Sequence, residues 1–232
     1  MITERLSNRL KAVASFVGEG AVVADIGSDH AYLPCYLLKT GKINRAIAGE
    51  VANGPYDSAM KNVLKEGLSD SITVRLADGL FAIKETDLVD TITIAGMGGT
   101  LIASILENGK TQLDSITRII VQPNIQSSVI RKWAVFNGWK IVSEQILKED
   151  DKIYEVLTME KGLSSYDETE ILLGPFLCLE KSVVFREKWE REIVEWHRVL
   201  LSIEDAEETD LVRKKKKQVK SQIELVRKVL AT

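Results

Sequence analysis

From residue 1 to about residue 160 the chain alternates short apolar, β-branched runs with amphipathic stretches of helical length. That alternation points to an open α/β sheet. Strands are expected at Ala21–Ile26, Arg45–Glu50, Ile72–Leu76, Thr91–Ala95 and Arg118–Gln122. Helices are expected between them: an N-terminal one carrying Ile2, Leu6, Leu10 and Val13 on one face, and others running to Lys39, to Lys65, through Leu106 and over Ser127–Asn137. Asn53-Gly54-Pro55 reads as a turn, and Gly96-Met97-Gly98-Gly99 as the opening of a helix. Two further runs, Lys140–Lys148 and Lys152–Glu160, are joined only by Glu149-Asp150-Asp151 and must be antiparallel, because a parallel crossover needs about a dozen residues.

The pattern changes after Gly162. Leu179, Arg186, Trp189, Ile193, Trp196, Leu200 and Ile203 fall at three- and four-residue steps, interrupted at Ser182; Val212, Val219, Ile223, Val226 and Leu230 do the same, with Lys216 on the seam. The expectation is a two-domain chain, an α/β domain over 1–162 and a coiled-coil helical hairpin over 163–232. Such a seam closes within one chain or between two, and a monomer is the expected state.

Several classes drop out. The longest apolar run is too short to span a bilayer, and MITERLSNRLKAV lacks the apolar core of a signal peptide, so a cytoplasmic protein without membrane association is expected. Two cysteines and two histidines leave little for a metal site, and none is expected. The formal charge of −3 argues against general nucleic-acid binding unless positive charge is concentrated locally. It is concentrated: residues 211–232 carry eight basic side chains against Glu224, among them Lys214, Lys215 and Lys217, and the N-terminal helix adds Arg5, Arg9 and Lys11. These are expected to meet nucleic-acid phosphates, the alternative for the lysines being pairing with the Glu-rich first helix of the hairpin.

The chemistry lies at the strand ends. Val22-Val23-Ala24-Asp25-Ile26-Gly27-Ser28-Asp29-His30 is a strand ending in an acid, then a glycine that lets a ligand approach the backbone. A dinucleotide fingerprint would place glycines where Asp29 and Tyr32 stand. Carboxylates there repel a pyrophosphate and suit a cationic sulfonium and an α-amino group, which disfavours an NAD-dependent dehydrogenase. Glu50 follows at a spacing suited to a ribose diol, Asp78-Gly79 ends the third strand where an acid can accept from an adenine amine, and Gly96-Met97 ends the fourth.

In this order ADIGSDHAYLP, AGEV, ADGL and IAGMGG resemble a class I S-adenosylmethionine-dependent methyltransferase, and closely the bacterial tRNA (adenine(22)-N1)-methyltransferase family, TrmK. The resemblance implies a Rossmann-like, seven-stranded, mostly parallel sheet with an antiparallel last strand. It also implies S-adenosyl-L-methionine as donor, S-adenosyl-L-homocysteine as product and tRNA as acceptor. Asp25, Gly27 and Ser28 then belong to the first donor motif, Glu50 and Val51 to the ribose, Asp78 and Gly79 to the adenine, while Gly96 and Met97 border the transfer site. Enzymes that methylate the exocyclic amine resemble one another in a D/N/S-P-P-Y/F motif after strand four; here that place is Ala95-Gly96-Met97-Gly98, and a Q-P-N at 122–124 follows strand five instead. Ring N1 is therefore the expected acceptor atom. Asp29 is the candidate to stabilise the cationic product, with a donor contact or a helix cap as its alternatives; His30 and Tyr32 are candidates to orient or stack on the base, or simply pack on the turn. The rival functions are methylation of a small molecule or protein, and a non-catalytic binding module.

Overall fold

A computed structural model describes residues 6–204 and 209–231. The chain divides into two compact units, Met1–Ser165 and Tyr166–Thr232, three residues beyond the composition change at Gly162.

The first unit contains α1 (Asn8–Phe16), β1 (Val22–Ile26), α2 (Tyr32–Lys39), β2 (Arg45–Glu50), α3 (Asn53–Lys65), β3 (Ile72–Leu76), β4 (Thr91–Gly98), α4 (Gly99–Asn108), β5 (Arg118–Ile125), α5 (Ser127–Phe136), β6 (Trp139–Glu149) and β7 (Lys152–Lys161). The sheet runs in the order β3-β2-β1-β4-β5-β7-β6. The first five strands are parallel, and β7 enters antiparallel between β5 and β6. The chain reverses its direction of winding between β1 and β4, and in such sheets ligands bind in the crevice outside the carboxyl ends of the strands at that point. The strand interiors, among them Val23, Ala24, Ala46, Ile47, Ile92, Ile94, Ile119 and Ile120, are buried on both faces, as parallel strands covered by helices require.

Two expectations are corrected here. Asn53-Gly54-Pro55 is the first turn of α3 rather than a separate turn. Proline is tolerated there because its missing N–H has no partner in that turn. Gly96-Met97-Gly98 belongs to β4, and the helix opens only at Gly99. The pairing of β4 with β5 shifts register on either side of Met97, so Gly96, at φ +80°, lies in a β-bulge that a helix-opening reading of the glycines overlooks.

The second unit contains α6 (Glu168–Leu173), α7 (Leu177–Glu180), α8 (Val183–Ser202) and α9 (Asp210–Leu230). Leu179 is not on the hairpin seam: Lys181 is left-handed, Ser182 caps α8 by accepting from the Phe185 N–H, and Leu179 is exposed on α7. The interruption at Ser182 is thus a helix start. Within the hairpin Phe185, Trp189, Val219, Ile223 and Val226 are buried, and the Arg186 guanidinium donates to the Leu230 carbonyl at 2.8 Å.

Candidate active site

Asp25 closes β1 with its carboxylate buried. One oxygen accepts from the Ser28 hydroxyl at 2.5 Å, and the other from the Thr93 hydroxyl of β4 at 2.6 Å. Burial pushes its pKa up against the pull of those two hydroxyls. Asp25 therefore builds the turn from beneath, and its charge has no cation beside it among the described contacts. Gly27 sits above at φ +67°, its N–H donating to the Gly49 carbonyl. A Cβ on Gly27 would stand 2.0 Å from the Met97 Cε and push that flexible methyl aside, so it is the left-handed φ that calls for glycine here.

Beyond Gly27 the backbone is strained. Asp29, His30 and Ala31 are all left-handed, with φ of 40°, 66° and 55°. Each such residue costs roughly 1–2 kcal/mol in an L-amino acid, so the surroundings must hold the loop. They do: the Glu50 Oε1 accepts from the Asp29 N–H at 2.5 Å, the Asn62 amide of α3 donates to the His30 carbonyl at 2.7 Å, and the Ala31 carbonyl accepts from Cys35 in α2. Glu50 is itself buried, and its pKa is raised by burial, with the nearby acids Asp25 and Asp29 adding to the rise while the Asp29 N–H and His30 oppose it. The loop presents an exposed Asp29 side chain whose Oδ1 lies 3.4 Å from the His30 Nε2. The His30 and Tyr32 rings stack at 5.2 Å with 24° between planes.

Val51 is exposed immediately after Glu50. Asp78 is exposed after β3, and Gly79, at φ +51°, starts a single helical turn to Ala82. The Glu50 carbonyl accepts from the Ala77 N–H at 2.7 Å, which ties the ends of β2 and β3 together. Sequence reasoning thus located Asp25, Gly27, Ser28, Glu50, Asp78, Gly96 and Met97 at the ends of strands that the topology makes neighbours.

It missed a polar cluster beside them. Gln122 on β5 is fully buried, and its Oε1 accepts both the Gly96 N–H at 3.0 Å and the Arg9 Nη1 at 2.5 Å. Its Nε2 donates to the Asn124 Oδ1 at 3.2 Å, and the Asn124 Nδ2 donates to the Gly96 carbonyl at 2.8 Å. The Arg9 guanidinium also lies 5.6 Å from the Tyr154 ring centroid, and Glu149 accepts the Asn8 and Arg9 backbone N–H groups at the start of α1. The available signal was the Q-P-N at the end of a predicted strand; a polar run at a strand's carboxyl end is where such sheets place ligands.

Arg5 lies outside the described residues. Lys214, Lys215 and Lys217 are exposed on α9, and among the described residues no ion pair joins them to the acids of α8, whose pairs are formed within the helix instead. No group of three or more His, Cys, Asp or Glu among the described residues could hold a metal ion, and no helix there is long and apolar enough to cross a membrane.

The TrmK family, described as tRNA (adenine(22)-N(1))-methyltransferase, matches residues 23–228. The chain is 45% identical to the Bacillus subtilis tRNA (adenine(22)-N(1))-methyltransferase, over 97% of both chains. Two solved structures share the fold along nearly all of it. A Streptococcus pneumoniae protein in complex with S-adenosyl-L-methionine superposes with a TM-score of 0.89 at 45% identity, over 97% of this chain and 99% of that one. The Mycoplasma capricolum TrmK, bound to S-adenosyl-homocysteine, superposes with a TM-score of 0.84 at 31% identity, over 96% of each.

Proposed function

The chain belongs to the tRNA (adenine(22)-N(1))-methyltransferase family, and from that premise we infer how its strand ends carry the reaction. It is an S-adenosyl-L-methionine-dependent enzyme that methylates N1 of an adenine in tRNA, position 22 in the family's name. The observation that carries the assignment of roles is the row formed by Asp25, Gly27, Glu50, Asp78 and Met97 along one edge of the sheet. It combines buried acids without a cation partner with a left-handed glycine turn on which the Met97 methyl packs. Those properties fit a cationic adenosyl ligand.

Asp25, Gly27 and Ser28 hold the amino-acid end of the donor. Glu50 and Val51 take the ribose, Asp78 and Gly79 the adenine, and Gly96 and Met97 wall the methyl position. When bound, S-adenosyl-L-methionine supplies a methyl group on a positively charged sulfur. The acceptor N1 has its own lone pair, so the protein need not remove a proton first and supplies mainly alignment. Positive charge grows on the adenine as N1 is alkylated; the exposed Asp29 carboxylate faces that charge and stabilises it. The stacked His30 and Tyr32 rings give the base a flat surface to lie on. Because N1 is occupied in Watson–Crick pairing, the target base is engaged unpaired or flipped out.

Lys214, Lys215 and Lys217 have no described acidic partner and supply phosphate contacts, as do Arg5 and, beside the site, Arg9. Phe185 and Trp189 of the hairpin are buried within one chain, which favours a monomer. A tRNA-modifying enzyme of this kind works in the cytoplasm. The test is incubation with S-adenosyl-L-methionine and unmodified tRNA, followed by reverse transcription. A stop at a single adenine is expected; methyl incorporation without a stop would reject N1, and none at all, with donor binding intact, would reject tRNA as acceptor. An Asp29→Asn variant is expected to lose roughly 10–100-fold in kcat with donor and tRNA affinities retained.

A further inference from the structure

The Gly96 peptide at the end of β4 is held at both its polar ends by side chains from the next strand. Gln122 takes its N–H and Asn124 its carbonyl, and Gln122 donates to Asn124, so the three form a closed ring of hydrogen bonds. Gln122 is fully buried and Asn124 is exposed. Gly96 needs holding: it is left-handed, lies in a bulge, and is followed by Met97, whose methyl packs onto the Gly27 turn. The same Gln122 oxygen accepts from Arg9, so one buried amide fixes both a wall of the donor site and a cation beside it. The Arg9 guanidinium has no carboxylate partner among the described residues; its neighbours are that amide and the Tyr154 ring.

We propose that Gln122 and Asn124 are positioning residues for methyl transfer, setting the Gly96–Met97 bulge and the Arg9 guanidinium in one fixed relation at the site. The proposal rests on the functional reading above and extends it to a strand outside the four donor motifs. The chemistry explains why amides serve here. A carboxylate in place of Gln122 would satisfy Arg9 and the Gly96 N–H but lose the donor to Asn124; an apolar side chain of similar size would fill the space and lose all three bonds. Alignment is the main thing this reaction asks of the protein, and a displacement of about 1 Å at a reacting centre costs on the order of 100-fold in rate.

The experiment compares Gln122→Met, Gln122→Glu and Asn124→Ala with the unaltered protein in tRNA methylation, S-adenosyl-L-homocysteine binding and thermal unfolding. The unaltered protein must methylate tRNA in the same assay; if it does not, it is the functional reading that fails. Given that activity, Gln122→Met is expected to lose about 100-fold in kcat, Asn124→Ala about 10-fold, and Gln122→Glu to recover to within about 10-fold of the starting rate, all with product affinity changed less than about threefold. Salt dependence of tRNA binding is expected to weaken in Gln122→Met, because Arg9 is no longer held, and to return in Gln122→Glu. Retention of kcat within about twofold by Gln122→Met would overturn the proposal. If Gln122→Met unfolds, the exposed Asn124 decides, and an Asn124→Ala variant with unchanged kcat and KM overturns it.

Discussion

The first unit buries two kinds of acid, and the contrast between them separates architecture from function. Glu144 on β6 and Glu155 on β7 converge on Arg131 of α5, at 2.7 Å and 2.8 Å, with all three side chains at or near zero exposure. Asp87, in the loop before β4, takes a two-pronged hydrogen bond from Arg75, which holds its carboxyl below the usual range. Asp25 and Glu50 are as deeply placed but are met by hydroxyls and an N–H, and both have raised pKa values. Acids whose charge is answered inside the chain hold the fold. Those at the strand ends whose charge is left open are the ones we assign to the donor, Asp25 to its amino-acid end and Glu50 to its ribose.

The signs of their pH dependence are opposite. The stabilising effect of Asp87 is present above the ordinary carboxylate value and is lost as pH falls through its depressed one. Asp25 and Glu50 are charged at a cost, so they disfavour folding once pH rises past the ordinary value, and this effect is complete above their raised values.

The contrast breaks most sharply at Arg131. Arg131→Met leaves two carboxylates buried without their cation and is expected to cost roughly 3–5 kcal/mol, read by urea or thermal unfolding. A loss below about 1 kcal/mol would remove these acids from the architectural class. Next in size is Glu50→Gln, which keeps an acceptor for the Asp29 N–H but removes the charge. It should weaken S-adenosyl-L-methionine binding about 10–100-fold in a calorimetric titration, with a much smaller change in unfolding temperature. An equal loss of stability and affinity would place Glu50 with the structural acids.

A smaller effect is expected from pH alone. S-adenosyl-L-methionine affinity should rise as pH increases through the raised pKa range of Asp25 and Glu50, and S-adenosyl-L-homocysteine, which carries the same α-amino group and ribose, should respond alike. An affinity for both ligands that does not change across that range would show that the open acids take no part in holding the donor. The smallest effect lies in the other unit: replacing Lys214, Lys215 and Lys217 with Gln should leave donor affinity unchanged and reduce the salt slope of tRNA binding by about 2–3. An unchanged slope would assign these lysines to solvation only.

The sheet was legible because its strands are β-branched runs with clear punctuation; β2 and β3 begin and end at the residues the pattern indicates. Local chemistry misled where one residue type serves two roles. Asn-Gly-Pro reads as a turn yet starts α3, and Ser182 reads as a polar fault in a seam yet caps α8. The site divides in the same way. Asp25, Glu50 and Asp78 stand at strand ends, and periodicity locates strand ends. Arg9 meets Gln122 and Tyr154 only because α1 is brought beside β5 and β7, contacts that span more than a hundred positions and leave no trace in local pattern.

The insertion of β7 between β5 and β6 also governs how the chain can be made. β5, with Ile119, Ile120 and Val121 fully buried in the finished sheet, has one edge paired to β4, and the other finds its partner only when β7 is complete at Lys161. At ribosomal speeds of about 5–20 residues per second that edge stays unpaired for roughly 2–7 seconds after Ile125 is added. An open edge of this kind invites pairing with another nascent chain. The β6–β7 hairpin, linked by a two-residue turn at Asp150-Asp151, shortens the exposure, because its strands can pair with each other first and dock as one piece. Weakening that turn should therefore lower the yield of soluble protein during synthesis more than it lowers the stability of molecules that have already folded.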